Sequence, residues 1–350
     1  GETGRRVADI VAEAGVPMEL VGTRLGTSSR LGHENLRRVA TRLGYDNVIS
    51  AINADSIMPI AERFGLNRLR GIHAGLWFWE LEKFPEQFAK SAAVVDEVWT
   101  ASVFNQLAIQ AAIDKPVRLM RYAIEVPTRP TAYTRRSLGM PDNKFIFMTN
   151  FDYFSISERK NPVGTIRAYL KAFSPDDGAT LIVKSINGHR RVPDREHVRS
   201  IAGDRADVLF FDDYLTRDEV RGMIELSNCL VSLHRAEGYG INIADAYGLG
   251  TPTIATGYSG NLEFMTPDTG LLVPFGFVDV PPGSYPYPTG AFWADPDLDA
   301  AAEAMRLLFD DRAFGYAMAV RAREHALKEH SWTVAVDSVR RLLKEGAGLA

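Results

Sequence analysis

Short apolar runs alternate along the chain with longer segments in which apolar residues recur at helical spacing. In the first part of the sequence the apolar runs are 18–22, 47–51, 70–72, 97–101 and 117–122. Further along they are 144–149, 180–184, 208–211, 229–233, 252–255 and 270–273. Apolar character is nearly continuous within each run, as expected for strands covered on both faces. The pattern predicts an α/β protein with parallel sheets flanked by helices.

A break in this alternation lies between residues 126 and 142. The segment 126–130 contains two prolines that oppose a helix, and 140–143 has turn residues before a fresh strand. We predict two doubly wound, Rossmann-like domains over 1–126 and 142–325 that face a cleft, joined by a linker over 127–141. The last stretch, 326–350, is predicted to form a helix that packs back on the first domain.

The first residues are unusual for a doubly wound domain. A glycine-containing turn over 1–6 leads directly into a predicted helix over 7–14. Such a turn normally follows the first strand of the domain. We therefore expect the first strand to be missing from this sequence or to be supplied in an unusual way.

Composition excludes several classes of protein. Of the 350 residues, 46% are hydrophobic and 24% are charged, which gives enough apolar side chain for a sizeable core. The net charge of −4 provides no field that would recruit nucleic acid, and the single cysteine, Cys229, allows no internal disulfide. No apolar run approaches the ~18 residues of a membrane span. We expect a cytoplasmic protein and leave peripheral contact with the inner face of the membrane open.

The most informative stretch runs from 229 to 252. An apolar strand is followed by a loop with glycines on both sides of Tyr239, then by a helix-compatible segment that ends at Gly248 or Gly250. A strand, a glycine loop and a helix N-terminus together form an anion site, because the first-turn amides point outward. The residues predicted to surround the anion are Gly238, Tyr239, Gly240, Ile241 and Asn242.

Two acids bracket this predicted anion site. Glu237 precedes the glycine loop, and Asp245 lies just over one helical turn beyond Ile241. A carboxylate accepts hydrogen bonds from adjacent sugar hydroxyls, so one acid can hold a transferred hexose and the other a ribose. In the alternative interpretation, Glu237 only favours the helix dipole and Asp245 is a solvated helix residue.

These residues resemble the Glu-x7-Glu motif of the retaining GT-B glycosyltransferases of family four. The resemblance continues through 253–265 and 270–274 and covers most of the second domain. It implies the two-domain GT-B fold, with the first acid at the donor sugar and the second at the nucleotide ribose. Asp245 stands where the family has Glu, and its side chain is one methylene shorter.

A basic pair, Arg159 and Lys160, follows the strand predicted at 144–149. The next two residues, Asn161 and Pro162, are typical of a helix N-cap and first turn. Two cations at a strand end suit a pyrophosphate, since they offset charge on a departing nucleoside diphosphate. The pair resembles the family's Arg/Lys phosphate pair, although the family's Arg more often stands several residues before its Lys. The alternative is a solvated basic pair.

Two further segments resemble donor-binding parts of the family. Tyr214, after the run 208–211, resembles the base-binding loop, where its ring can stack on a nucleobase; the alternative is a core strand that leaves into an acidic turn. The turn over 1–6 resembles the first glycine loop of the family, which implies that Gly4 faces the donor phosphates.

Aromatic residues stand out in the first domain at 73–80. We predict that His73, Trp79 and Glu80 line a sugar-acceptor site, because sugar rings present C–H faces to indoles. The run resembles a Trp-x-Trp-Glu pattern in a bacterial subset of family four. The alternative is that these side chains belong to the core.

Together these features predict a retaining hexosyltransferase that uses a nucleoside diphosphate sugar and transfers to a hydroxyl of a glycan, a glycolipid precursor or another acceptor. No His, Asp or Glu cluster has tight metal spacing, so we expect no metal and no cofactor beyond the donor substrate. Three alternatives stay open: a non-catalytic nucleotide-sugar-binding module, a nucleotide-sugar epimerase and a phosphorylase.

Overall fold

The computed structural model describes residues 2–23, 39–284 and 286–347. The α-helices are α1 (Glu2–Glu13), α2 (Ile57–Phe64), α3 (Glu86–Ala89), α4 (Val103–Gln110), α5 (Ser157–Lys160), α6 (Pro162–Ala172), α7 (Val192–Ala202), α8 (Arg217–Leu226), α9 (Ile241–Leu249), α10 (Leu298–Asp310), α11 (Arg312–Glu329) and α12 (Trp332–Ala347). The strands are β1 (Leu20–Val21), β2 (Val39–Ala40), β3 (Val48–Ser50), β4 (His73–Leu76), β5 (Glu97–Thr100), β6 (Val117–Leu119), β7 (Phe145–Asp152), β8 (Ala179–Ile186), β9 (Val208–Phe211), β10 (Cys229–Ser232), β11 (Thr253–Thr256), β12 (Leu271–Val273), β13 (Phe275–Asp279) and β14 (Phe292–Pro296).

The chain divides into two compact units. The first unit comprises Gly1–Ala123, Tyr285–Ala291 and His330–Ala350, and the second comprises Ile124–Ser284 and Phe292–Glu329. The stretch 127–141, predicted as a linker, is therefore part of the second unit. There Arg135 donates hydrogen bonds to the carbonyl of Leu226 at 3.0 Å and to Asn228 Oδ1 at 2.8 Å, which ties the stretch to that unit.

The first unit contains a parallel sheet with strand order β3-β4-β5-β6 and a short parallel pair, β1-β2. All residues of β4 and β5 are buried, which for β5 agrees with the predicted apolar run 97–101. The strand predicted over 70–72 is displaced, because β4 begins at His73. Helix α12 packs on α1, where Arg340 Nε donates to the carbonyl of Ala14 at 3.2 Å.

The predicted glycine turn at the start of the chain is wrong. Residues from Glu2 onward are already helical, so Gly4 lies inside α1. A Cβ atom at Gly4 would lie 3.0 Å from the Cβ of Ala51, which shows that glycine allows α1 to pack closely on the segment after β3. A contact between Gly4 and donor phosphates stays a prediction.

The second unit contains a parallel sheet with strand order β12-β11-β10-β7-β8-β9. Its core is rich in aromatic side chains: the ring of Phe147 contacts those of Tyr169 and Phe173, with centroids 6.2 and 5.3 Å apart. The two parallel sheets confirm the predicted α/β architecture of Rossmann-like domains. The antiparallel ribbon β13-β14 was not predicted from the sequence.

Candidate functional site

Two neighbouring strands of the second sheet deliver the predicted basic pair and the first predicted acid to one edge. Strands β7 and β10 are parallel and paired, with Phe147 opposite Cys229 and Met148 opposite Leu230. The basic pair follows β7, and Glu237 follows β10. Since the carboxyl ends of parallel strands share one edge of a sheet, this topology accounts for their proximity.

Residues with positive φ flank α5, the short helix that carries the basic pair, at both ends. Ile156 before it has φ 61° and ψ 105°, and Asn161 after it has φ 53° and ψ 49°. The Oδ1 atom of Asn161 accepts the N–H of Gly164 at 3.0 Å, which confirms the predicted N-cap with Pro162 at the first helical position. Its Nδ2 donates to the carbonyl of Leu233 at 2.9 Å and so ties the helix to the segment after β10.

Glu237 forms ion pairs with both predicted cations. Its Oε1 accepts from Lys160 Nζ, and its Oε2 lies 3.4 Å from Arg159 Nη1. Arg159 also donates from Nη1 to the carbonyl of Ala236 at 2.8 Å. The exposed fractions of the three side chains are 12% for Glu237, 17% for Lys160 and 6% for Arg159. The three charges therefore form a nearly buried cluster rather than a solvated patch.

This cluster keeps Glu237 ionised. Burial raises the pKa of its carboxyl, but Lys160 and Arg159 outweigh that effect and bring the pKa to about 2. Burial lowers the pKa of the neighbouring His234, which is fully enclosed. His234 Nε2 lies 3.1 Å from both the carbonyl of Tyr258 and Oδ1 of Asn261.

Helix α9 begins at Ile241, after the glycine loop that follows Glu237, as predicted. Gly240 before it has φ 88°, a backbone conformation that favours glycine. The N–H groups of the first turn have no partner within their own helix, which suits an anion. Asn242 donates from Nδ2 to the carbonyl of Asn150, 3.0 Å away. The ring of Tyr239 is 2% exposed and packs on Phe264, so a ligand would meet this residue through its backbone.

The second predicted acid lies in α9 against an arginine that the sequence did not single out. Asp245 Oδ1 accepts from Arg221 Nη1 at 2.6 Å, and both side chains are 10% exposed. Arg221 also donates to the carbonyl of Glu125 at 3.3 Å. The pair joins two helices, 24 positions apart, and no local sequence pattern marks such a contact. Asp245 is thus a buried, paired carboxylate rather than a solvated one.

The loop after β9 carries Tyr214 and is anchored by a buried lysine. The hydroxyl of Tyr214 donates to Oδ1 of Asn187. Lys184 donates from Nζ to the carbonyls of Ser185 and Asp213, both at 2.7 Å. Burial lowers the pKa of Lys184 to about 8, although Asp212 and Asp213 act in the opposite direction. Lys184 is the one charged residue in the apolar run 180–184, and this feature of the sequence could have marked it as a candidate functional residue.

The structure separates the three residues predicted as the acceptor side. His73 begins β4, whereas Trp79 and Glu80 follow its carboxyl end. His73 is buried, its Nε2 lies 2.8 Å from Ser50 Oγ, and burial lowers its pKa. The predicted strand ended before His73, while the observed strand starts with it. A role of His73 at an acceptor site stays a prediction.

Trp79 and Glu80 both contact Tyr287 of the same unit. Trp79 donates from Nε1 to the carbonyl of Lys83 at 2.9 Å, and its ring centroid is 5.4 Å from that of Tyr287. The hydroxyl of Tyr287 donates to Glu80 Oε2 at 3.3 Å. These two predicted acceptor residues therefore share one partner.

Within residues 2–23, 39–284 and 286–347, no three or more His, Cys, Asp and Glu side chains cluster as a metal site would require. Among the helices of that same part of the chain, none is both long and apolar enough to span a bilayer. Metal independence stays a prediction.

Several solved structures share the fold of this chain. The Anabaena protein Alr3699/HepE, crystallised with UDP and glucose, is 16% identical with a TM-score of 0.65, over 86% of this chain and 78% of its own. Sucrose-phosphate synthase from Thermosynechococcus elongatus is 18% identical with a TM-score of 0.64, over 86% and 74%. A glycosyltransferase from Rickettsia africae is 14% identical with a TM-score of 0.64, over 98% and 80%.

The fold is GT-B. This confirms the fold that the sequence resemblance implied. No protein-family model matches the chain, and no curated protein sequence matches it. In this GT-B chain the cluster of Glu237, Lys160 and Arg159 lies at the carboxyl edge of the second unit's sheet, beside the start of α9.

Proposed function

We propose that the protein is a retaining, metal-independent glycosyltransferase that moves a hexose from a nucleoside diphosphate sugar to a hydroxyl acceptor. The observation that carries the proposal is the nearly buried ion cluster of Glu237 with Lys160 and Arg159 beside the N-terminus of α9. The ionised carboxylate can accept hydrogen bonds from sugar hydroxyls, while the neighbouring cation Lys160 and the N–H groups of the helix end suit a diphosphate. HepE, which shares the fold, was crystallised with UDP and glucose.

In this proposal the diphosphate lies at the first turn of α9 and at Lys160. The bond between the sugar C1 and the phosphate oxygen breaks, and its electron pair stays on the phosphate. Lys160 and the helix end stabilise the negative charge that develops there. Arg159 is the most enclosed of the three charges, so it holds Glu237 and Ala236 in place.

The acceptor hydroxyl attacks C1 from the face that the diphosphate leaves, which retains the configuration. Its proton passes to an oxygen of the leaving phosphate, so no protein base is required. Glu237 holds hydroxyls of the hexose through its ionised carboxylate. Its negative charge also favours the positive charge that builds on the sugar ring.

In the same proposal, the other predicted donor and acceptor residues, apart from His73, keep the roles that the sequence suggested. Asp245 would contact the ribose while held by Arg221, and Tyr214 would stack on the base from a loop anchored by Lys184. Trp79 and Glu80 of the first unit would contact the acceptor. His73 is enclosed in the core of that unit and has no direct role in this proposal.

A panel of UDP-, ADP-, GDP- and dTDP-hexoses and their free diphosphates tests the proposal by thermal shift. A donor at a hundredfold excess over its Kd stabilises the folded state by about 2.7 kcal/mol, which is easily measured. The selected donor is then assayed for hydrolysis and transfer with and without a chelator. Saturable binding without turnover would favour the non-catalytic module, interconversion of the donor sugar without an acceptor would favour the epimerase, and no binding would overturn the proposal.

A further inference from the structure

Ser259 adopts a backbone conformation that a serine rarely takes. Its φ is 75° and its ψ is −145°, a region that is favourable almost only for glycine. The residue follows β11 and precedes the short helical turn Gly260–Glu263. A strained residue persists only where the surrounding structure holds it, and such residues concentrate at functional sites.

The segment at Ser259 holds both backbone polar groups of Glu237. The N–H of Glu237 donates to Ser259 Oγ at 2.8 Å. The N–H of Gly260 donates to the carbonyl of Glu237, also at 2.8 Å. A Cβ atom at Gly260 would lie only 2.1 Å from the carbonyl oxygen of Gly238, so the two segments are packed backbone against backbone.

Buried side chains behind Ser259 keep this arrangement in place. His234 Nε2 lies 3.1 Å from the carbonyl of Tyr258 and 3.1 Å from Asn261 Oδ1. Asn261 donates from Nδ2 to the carbonyl of Thr256 at 3.0 Å. The residues on both sides of Ser259 are thus fixed independently of its own hydroxyl, and the strain is sustained by its neighbours.

We propose that Ser259 is a positioning residue for Glu237. Its hydroxyl fixes the acid's N–H at the point where the chain leaves β10, which sets the direction of the Glu237 side chain. The carboxylate then pairs with Lys160 and Arg159 and is oriented to accept hydrogen bonds from the hexose of the donor. This inference rests on the proposed function, and Ser259 itself does not contact the reacting atoms.

Two substitutions separate positioning from a contribution to folding. Ser259→Gly removes the hydroxyl and relieves the unfavourable φ, whereas Ser259→Ala removes the hydroxyl and keeps the strain. We expect both variants to lose at least tenfold in kcat with the selected hexose donor. The melting temperature should fall for Ser259→Ala and stay level or rise for Ser259→Gly. Ser137→Gly is the matched control, because Ser137 Oγ accepts the backbone N–H of Thr134 at 2.9 Å in the same unit.

A double-mutant cycle with Glu237→Ala tests whether Ser259 acts through the acid. The readout is the Kd of the selected donor by calorimetry, which does not require turnover. Ser259→Gly should weaken binding severalfold in the wild-type background and leave it unchanged in the Glu237→Ala background. Equal weakening in both backgrounds, or wild-type kcat in Ser259→Gly, would overturn this inference alone. Absence of donor binding and turnover in the wild type would overturn the proposed function and this inference with it.

Discussion

Lys160 and Glu237 are 77 positions apart in the sequence, and their side chains form an ion pair at the carboxyl edge of the second sheet. The parallel pairing of β7 with β10 brings them together. Arg159 completes the cluster from the same short helix. The pair therefore joins a predicted phosphate-binding residue to a predicted sugar-binding residue through their charges.

Substitution of either partner should abolish transfer. We expect Glu237→Gln and Lys160→Ala to lower kcat by at least a hundredfold, since each removes a charge that contacts the donor in the proposed mechanism. Both variants should remain folded by circular dichroism, and Lys160→Ala should melt at a lower temperature because Glu237 loses a partner. Lys171→Ala, which breaks the exposed pair with Asp299, is the control and should keep wild-type rates. Wild-type rates in both site variants would contradict the site assignment.

The ionisation of Glu237 should appear in the pH dependence of stability. Its pKa falls from 4.5 to about 2 on folding, so the unfolded chain binds the proton more readily. The resulting stabilisation is fully present above pH 4.5 and is lost as the pH falls towards 2. Urea unfolding of the wild type should therefore lose stability faster than Glu237→Gln between these values. Parallel curves for the two proteins would contradict this prediction.

Lys184 should produce a pH trend of the same sign, but in the alkaline range. Burial lowers its pKa from 10.5 to about 8, so between these values the unfolded chain binds more protons than the folded one. This group should therefore add on the order of 3 kcal/mol of stability as the pH rises across that window. The difference in unfolding free energy between the wild type and Lys184→Met should grow in favour of the wild type from pH 8 to 10. A constant difference would show that Lys184 does not titrate there.

The buried ion pair of Asp245 with Arg221 should contribute more to the free energy of unfolding than the exposed pair of Glu125 with Arg217. Arg221→Met leaves a buried carboxylate without its partner, which costs about 3–5 kcal/mol. The matched control is Arg217→Met on the same helix, whose pair with Glu125 is about half exposed and is worth less than about 1 kcal/mol. Chemical denaturation measures both variants. Similar losses in the two would mean that the Asp245 pair is not enclosed in solution.

Strand bounds and helix caps were predicted correctly from the sequence where the residues that determine them lie within one short segment. The apolar run 229–233 matches β10 to within one residue, and β9 has the predicted bounds. The Asn161 N-cap and the Gly250 C-cap of α9 also follow local rules, since capping depends on neighbouring residues. Local signals were misleading at His73 and at residues 1–6, where packing of the segment decided between strand, turn and helix.

By itself, the sequence determined the α/β class, the principal strands of the second unit and the side chains from which a sugar-phosphate site can be built, because periodicity and local motifs depend on near neighbours. Tertiary structure alone decided which charges meet: Lys160 with Glu237, Asp245 with Arg221, and the strained Ser259 with the N–H of the first acid. The physical reason is that ion pairs and hydrogen bonds are short-ranged. Partners far apart in the chain have no common local pattern until the order of strands in the sheet brings them together.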